Sequence, residues 1–384
     1  MRKESIPLTS IRGFAALWVA TLHIQLNMAN LGYNPWAGLS HFGYVGVDIF
    51  FILSGFILTA VYGGLAWRNV GAFFTRRVFR IYPMHLAVLG VMALLWLDIY
   101  LRFGVEDPSQ ELHWLPICAL LLQPFVYHRL VWNAVTWSLS IEFVCYLFFP
   151  IVIMGLRRTP RLALLPLILI FAVLEHHVQV YGLYIWGIGA VVRGAAGFGL
   201  GMLLQLACQR LLPTPGTIVA SLGEGLALGG IILCAALPPA LGYGFYITLF
   251  AALLILCLSY DKGPVSWLLR RSVSHWLGRV SFSLYLVHET VFGVLWGHFP
   301  ATRLPFGHDL NGFIWASGVL LFCLALSTLT WRLIEEPGRR LGGRIARRME
   351  RNIPKAVAPV QPEGGAPPEA GSLPENAEAA ILRV

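Results

Sequence analysis

Apolar residues run along this chain in long blocks, and the polar residues between them come in short bursts. A helix needs about 20 apolar residues to cross a bilayer. On that scale the blocks predict spans at roughly 11–31, 42–62, 83–103, 136–156, 161–178, 193–212, 217–237, 241–260, 276–299 and 311–334. The expectation is an all-α, polytopic membrane bundle of about ten transmembrane helices. The apolar stretch 113–127 is short for a crossing and reads as a re-entrant or interfacial piece.

Charge decides the orientation. Basic clusters fall at Arg2/Lys3, from Arg68 to Arg80, at Arg157, Arg158 and Arg161, near Arg210, from Lys262 to Arg279, and from Arg332 onward. Cytoplasmic loops collect Lys and Arg, so an even number of crossings must separate Arg80 from Arg157. The spans 83–103 and 136–156 satisfy this, and both termini are expected inside. The opposite face takes the acidic loop with Glu106, Asp107 and Glu111. A transmembrane domain is expected over 1–344 and a disordered cytoplasmic tail, rich in Pro, Glu and Ala, over 345–384.

Composition agrees. Of 384 residues, 57% are hydrophobic and 12% charged, with mean hydropathy +0.69, where a soluble domain carries about 25% charged residues. The net charge of +9 lies in short loops, which gives it a topological meaning and removes the case for nucleic-acid binding. The six cysteines fall in or near apolar segments without metal or redox spacing, so they read as small core residues. The N-terminus has a basic start, but the apolar run after it carries Arg12 and His23 and lacks a small-residue exit; it reads as a retained first helix.

Ionisable side chains inside such spans are costly and mark function by default. Arg12 and His23 share the first helix, eleven residues apart, or ~16 Å along its axis. This suits a grip on an anion at one surface and proton chemistry near mid-membrane, where histidine is the natural general base. Asp48, where the chain re-enters the membrane, is open to three readings: a partner for a cation, an orienter of His23, or a helix N-cap. Arg77 and Arg80 lie three apart on one helix face, suited to phosphate or to topology, with Pro83 opening the next span. Glu142 is a carboxylate in an apolar span, placed to orient His23 or Arg12, to bind sugar hydroxyls, or to pair with another helix. Trp137 offers a stacking face, Ser138 lies beside it, and His288 is a second polar anchor. Ser54 and Gly55 read as small residues for helix packing, as do the glycines after Arg193. Glu175, His176 and His177 read as solvated at an outer helix end.

Taken in order, LTSIRGFAALWVATLHI, GVDIFFILSGFI, RRVFRIYP, TWSLSIEF, RGAAGFGLGM, FSLYLVHE and WRLIEEP resemble the blocks of the membrane acyltransferase 3 family, over about residues 8–340. Its arginine-ten-residues-histidine motif falls on Arg12 and His23, its paired arginines on Arg77 and Arg80, and its tryptophan-serine block on Trp137, Ser138 and Glu142. Thr9 stands where members often carry an acidic residue, which removes one ion-pair partner for Arg12 at that end. The hydrolase-like domain fused to some members has no counterpart here, so a second transfer step would fall to a separate protein.

The resemblance implies O-acylation, usually O-acetylation, of a carbohydrate or glycosylated acceptor from cytoplasmic acyl-CoA, in a bacterial inner membrane, with no metal. Catalysis would fall to His23, Arg12, Glu142 and Asp48, donor binding to Arg77, Arg80 and Arg12, and acceptor binding to Trp137, Ser138 and His288. Membrane lipids and envelope-polysaccharide assembly proteins are the implied partners. The rival class is a transporter or flippase-like exporter of a glycan or lipid intermediate, in which the same polar residues would line a substrate path. Against it, the sequence shows no repeated half.

Overall fold

The computed structural model describes residues 5–36, 40–104, 110–126, 131–182, 184–237 and 243–351. Arg2, Lys3, Glu106, Asp107 and the tail from 352 onward lie outside the described residues. Within them the chain is helical, with no strand.

Ten long helices fall where the apolar blocks predict them: α1 (Ile6–Asn30), α2 (Val45–Tyr62), α3 (Val70–Phe103), then, after the short α4 (Leu115–Ala119) and α5 (Gln123–Val126), α6 (Thr136–Leu156), α7 (Leu164–Tyr181), α8 (Gly187–Arg210), α9 (Thr217–Ala236), α10 (Gly244–Leu258), and, after the short α11 (Pro264–Leu269), α12 (Ser272–His298) and α13 (His308–Thr330). Eight helices among the described residues are long and apolar enough to cross a membrane. The other two differ in kind: α10 has only 15 residues, and α1, at 25 residues, carries Thr9, Ser10, Arg12 and His23 and lies in the centre of the bundle. Leu94, Leu101, Leu165, Leu169, Leu222 and Leu226 remain exposed on the outer helices, as a lipid-facing belt requires.

Two boundaries depart from expectation. Pro83 does not begin a helix; α3 starts at Val70 and runs through it for 34 residues. Proline inside a helix leaves the carbonyl four residues back without its donor. Here that notch is filled from outside: a Cβ on Gly338 would meet Pro83 Cγ at 2.7 Å and the Phe79 carbonyl oxygen at 3.4 Å. The second departure is the end of α13. Trp331–Glu335 form a π-helical turn and α14 (Glu336–Arg351) continues the rod against the first half of α3, tied by Arg76 to Glu350 at 2.7 and 2.8 Å. Helix therefore extends seven residues into the segment read as tail.

The 113–127 stretch turns back as expected of a non-crossing piece: α4 and α5 have five and four residues. Its tip is buried, with the Cys118 carbonyl oxygen 2.9 Å from His85 Nε2 of α3.

Two pairs of helices set the core. Residue numbers rise together along α1 and α12, so these run parallel: Gly13 abuts Leu277 and Gly278, and His23 meets His288. A Cβ on Gly13 would lie 2.5 Å from the Leu277 backbone, and one on Gly278 would overlap the Thr9 carbonyl. The pair α2 and α8 is also parallel: Asp48 meets Arg193 and, further along both, Gly55 lies on the backbones of Phe198 and Met202 and Gly201 on those of Ile52 and Phe56. Small residues that bring backbones together are the usual adhesive of membrane helices.

Candidate active site

A cavity opens between α1, α2, α3, α6 and α12. Arg12, Arg77, Arg80 and Glu142 line it together with Ser54, Ser138, Tyr146, Ser281 and Tyr285, over an apolar floor that includes Phe50, Leu53 and Ile57. Three cations face one carboxylate, so the space favours an anion.

The arginines are held differently. Among the described residues Arg12 has neither an ion-pair nor a hydrogen-bond partner. Arg77 lies 5.6–5.9 Å from the ring centres of Tyr62, Tyr146 and Phe73, and its buried Nε has no acceptor. Rings that attract a cation hold Arg77 in place while leaving its N–H groups unspent. Arg80 sits 3.4 Å from Glu335 in the π-turn, and Ser283 of α12 donates to the same carboxylate at 2.8 Å. A π-turn re-aims side chains locally, and here it aims Glu335 at Arg80.

Glu142 points to hydroxyls. Its Oε1 accepts from Ser54 Oγ and Tyr146 OH, both at 2.6 Å. Ser54 is thus part of the cavity wall as well as a packing residue. Ser138 shares a 2.7 Å hydrogen bond with Tyr285 OH, which also donates to the Val135 carbonyl at 3.0 Å.

His23 is apart from this cavity. Its Nδ1 lies 2.8 Å from His288 Nε2 and 3.5 Å from Glu289 Oε1, with the two imidazole planes 3° from parallel and meeting edge to edge. Neither Glu142 nor Asp48 orients it, contrary to the sequence expectation, because both carboxylates are engaged elsewhere. The link to the cavity is Tyr285, which lines it and whose ring lies 6.1 Å from that of His288. His288 is buried with both ring nitrogens in hydrogen bonds, Nδ1 being 3.2 Å from the Leu284 carbonyl, so it has no nitrogen free for a substrate.

His23, His288 and Glu289 have the composition of a metal site, their ligand atoms lying within 4.8 Å of one another. Two nitrogens on one tetrahedral ion, each ~2.0–2.1 Å from it, would stand roughly 3.3 Å apart. At 2.8 Å the two imidazoles share a proton directly, and an ion would have to part them.

Asp48 anchors a separate buried network. Arg193 grips it through Nε at 2.7 Å and Nη2 at 2.9 Å, and Gln179 donates to it at 2.8 Å. Glu175 lies in the same pocket, fully buried and 3.3 Å from Gln179 Nε2, rather than solvated. Trp137 packs its ring 5.2 Å from the Arg193 guanidinium, so one stacking face is already taken. Glu224 is likewise structural: it accepts from the backbone N–H groups of Gly263, Val265 and Ser266 at the start of α11.

The sequence reading passed over Arg193, Gln179, Tyr146, Tyr285 and Glu335 as actors. Arg193 carried a usable signal, a charge in an apolar span, the same one that marks Arg12. The tyrosines carried none, since an aromatic in such a span is ordinary.

The comparisons with known proteins meet this geometry. The profile of the acyltransferase 3 family, described as an acyltransferase domain, matches residues 8–332. The chain belongs to this family. That description favours transfer over export. A putative peptidoglycan O-acetyltransferase, YrhL of Bacillus subtilis, is 27% identical over 88% of this chain, which spans 55% of that relative's length. The acyltransferase MdmB of Streptomyces mycarofaciens is 29% identical over 88% of this chain and 92% of its own. Protein 2 in the picA locus of Rhizobium radiobacter is 34% identical over 28% of this chain and 53% of its own. No solved structure matches.

Proposed function

We propose that this membrane protein transfers an acyl group, most simply acetyl, from acyl-CoA to a hydroxyl of a cell-envelope carbohydrate or glycosylated acceptor. The observation that carries the reading is the cavity with Arg12, Arg77 and Arg80 on its wall, two of them without a carboxylate partner. Guanidinium groups with free N–H bonds suit the phosphates of such a donor. The relatives named for O-acetyl and acyl transfer support the reaction class.

In this scheme the phosphates rest at the arginine end, on the cytoplasmic side of a bacterial inner membrane, a placement that the basic loops support. The donor's narrow arm covers the ~16 Å along α1 that separates Arg12 from His23. His23 takes the proton of the acceptor hydroxyl as its oxygen attacks the thioester carbonyl. The C–O bond forms, the C–S bond breaks, and the departing sulfur receives that proton, leaving free CoA thiol and the ester. General-base assistance of this kind contributes ~10²–10⁴-fold. Ser54, Tyr146 and Glu142 line the arginine side of this path, where their hydroxyl and carboxylate groups flank the donor.

The test is transfer itself. Inverted membrane vesicles containing the protein are supplied with acetyl-CoA labelled in the acetyl group. Alkali-labile label in the envelope fraction, absent from vesicles lacking the protein, is the expected result. Label that stays on CoA under these conditions, with export of an unmodified glycan, overturns the reading.

A further inference from the structure

A neutral imidazole offers one donor and one acceptor nitrogen, and the partner of one fixes the role of the other. His288 Nδ1 faces the Leu284 carbonyl oxygen at 3.2 Å. A carbonyl can only accept, so Nδ1 of His288 carries the hydrogen and its Nε2 is bare. That bare nitrogen lies 2.8 Å from His23 Nδ1, which must then be the donor. Glu289, the other neighbour of His23 Nδ1, is a second acceptor at 3.5 Å, and Asn27 Nδ2 stands 3.5 Å from its far oxygen. Every contact on this side of the His23 ring therefore demands Nδ1–H, and the lone pair is left on Nε2. Among the described residues nothing hydrogen-bonds that nitrogen, and the His23 side chain keeps 28% of its surface open.

We propose that His288 is a positioning residue: anchored to the backbone one turn away, it fixes the tautomer and ring plane of His23 and so presents Nε2 to the acceptor hydroxyl. This rests on the general-base reading of His23. The arrangement does the work of the carboxylate in a hydrolase triad, with a neutral ring as the orienting acceptor and the Glu289 carboxylate near enough to stabilise the imidazolium formed during transfer. Its chain of command is short, because Leu284 O and His288 are four residues apart on α12. The helix itself holds the second ring.

The test uses the same vesicles, with acetyl-CoA as donor and protein amounts equalised by immunoblot. His288→Gln keeps an acceptor oxygen where Nε2 stands; His288→Leu removes it. The expectation is that His288→Gln stays within about tenfold of wild type, while His288→Leu loses about 100-fold or more in kcat with KM for acetyl-CoA unchanged. Equal activity of Gln and Leu variants, at either level, overturns the inference, because the acceptor would then be irrelevant. If His288→Leu fails to accumulate, His288→Phe preserves a ring without an acceptor and is judged by the same standard. His23→Ala separates the two claims. An inactive His23→Ala beside an active His288→Leu sinks only the positioning role, whereas an active His23→Ala sinks the general base itself.

Discussion

Asp48 and Arg193 close a two-pronged ion pair in the middle of the protein, through nitrogen–oxygen distances of 2.7 and 2.9 Å, with both side chains almost wholly buried. The pair joins α2 to α8, and Gly197, one turn beyond Arg193, packs against the Asp48 carbonyl. Its position makes it a strut for the wall of the cavity rather than a member of it.

Removing one partner leaves a lone buried charge, which costs about 3–5 kcal/mol. Asp48→Ala or Arg193→Ala should each lower the thermal midpoint of the purified protein in detergent markedly. The double variant Asp48→Leu/Arg193→Met, which leaves no charge behind, should lose less than the sum of the two. Thermal unfolding of the four proteins side by side measures it; additive losses would contradict the strut.

Close approach of α1 and α12 depends on Gly13 and Gly278. Leu at either site drives atoms into the facing backbone and should cost about 1–3 kcal/mol or more, with transfer falling alongside because His23 and His288 ride on these two helices. Ala at Gly229, where nothing lies within 4 Å of the added carbon, serves as the neutral control. Protein yield and activity of the three variants, compared together, give the answer.

The arginines should report as binding residues. A hydrogen bond to a charged group is worth about 1.5–3 kcal/mol, so Arg77→Ala or Arg80→Ala should raise KM for acetyl-CoA by roughly 10- to 100-fold, with kcat less affected. Lysine at position 77 should recover only part of this, since a point charge cannot reproduce the planar fork or its stacking on Tyr62 and Tyr146. Steady-state kinetics with varied acetyl-CoA distinguish the cases; an unchanged KM in both alanine variants would remove the arginines from the donor site.

Much of this protein is legible in its sequence. Membrane helices announce themselves through composition, so the spans fell within a few residues of the structure, and the 136–156 span coincides with α6. The exceptions have local causes. Pro83 looked like a helix start because proline commonly is one, and only the glycine face of α14 reveals why α3 can run through it. The last seven residues of α14 read as tail because the helix is held there by packing on α3 and by the Arg76–Glu350 pair. In the site, the charges stood out individually, and the structure brings Arg12, Arg77, Arg80 and Glu142 to one cavity. Their pairings did not show. Asp48 takes Arg193, Glu142 takes two hydroxyls, and His23 takes His288, 265 residues away; side-chain partners across helices depend on rotation and tilt, which apolar periodicity leaves open.

The most direct measurement is the O-acyl content of envelope glycans and lipids, read by mass spectrometry and proton NMR, in cells lacking this protein and in the same cells given the wild-type chain or His23→Ala. An O-acyl group that disappears with the protein, returns with the wild type and stays absent with an equally abundant His23→Ala is the predicted result. Acylation that is unaltered in all strains, or restored in full by His23→Ala, would contradict the account.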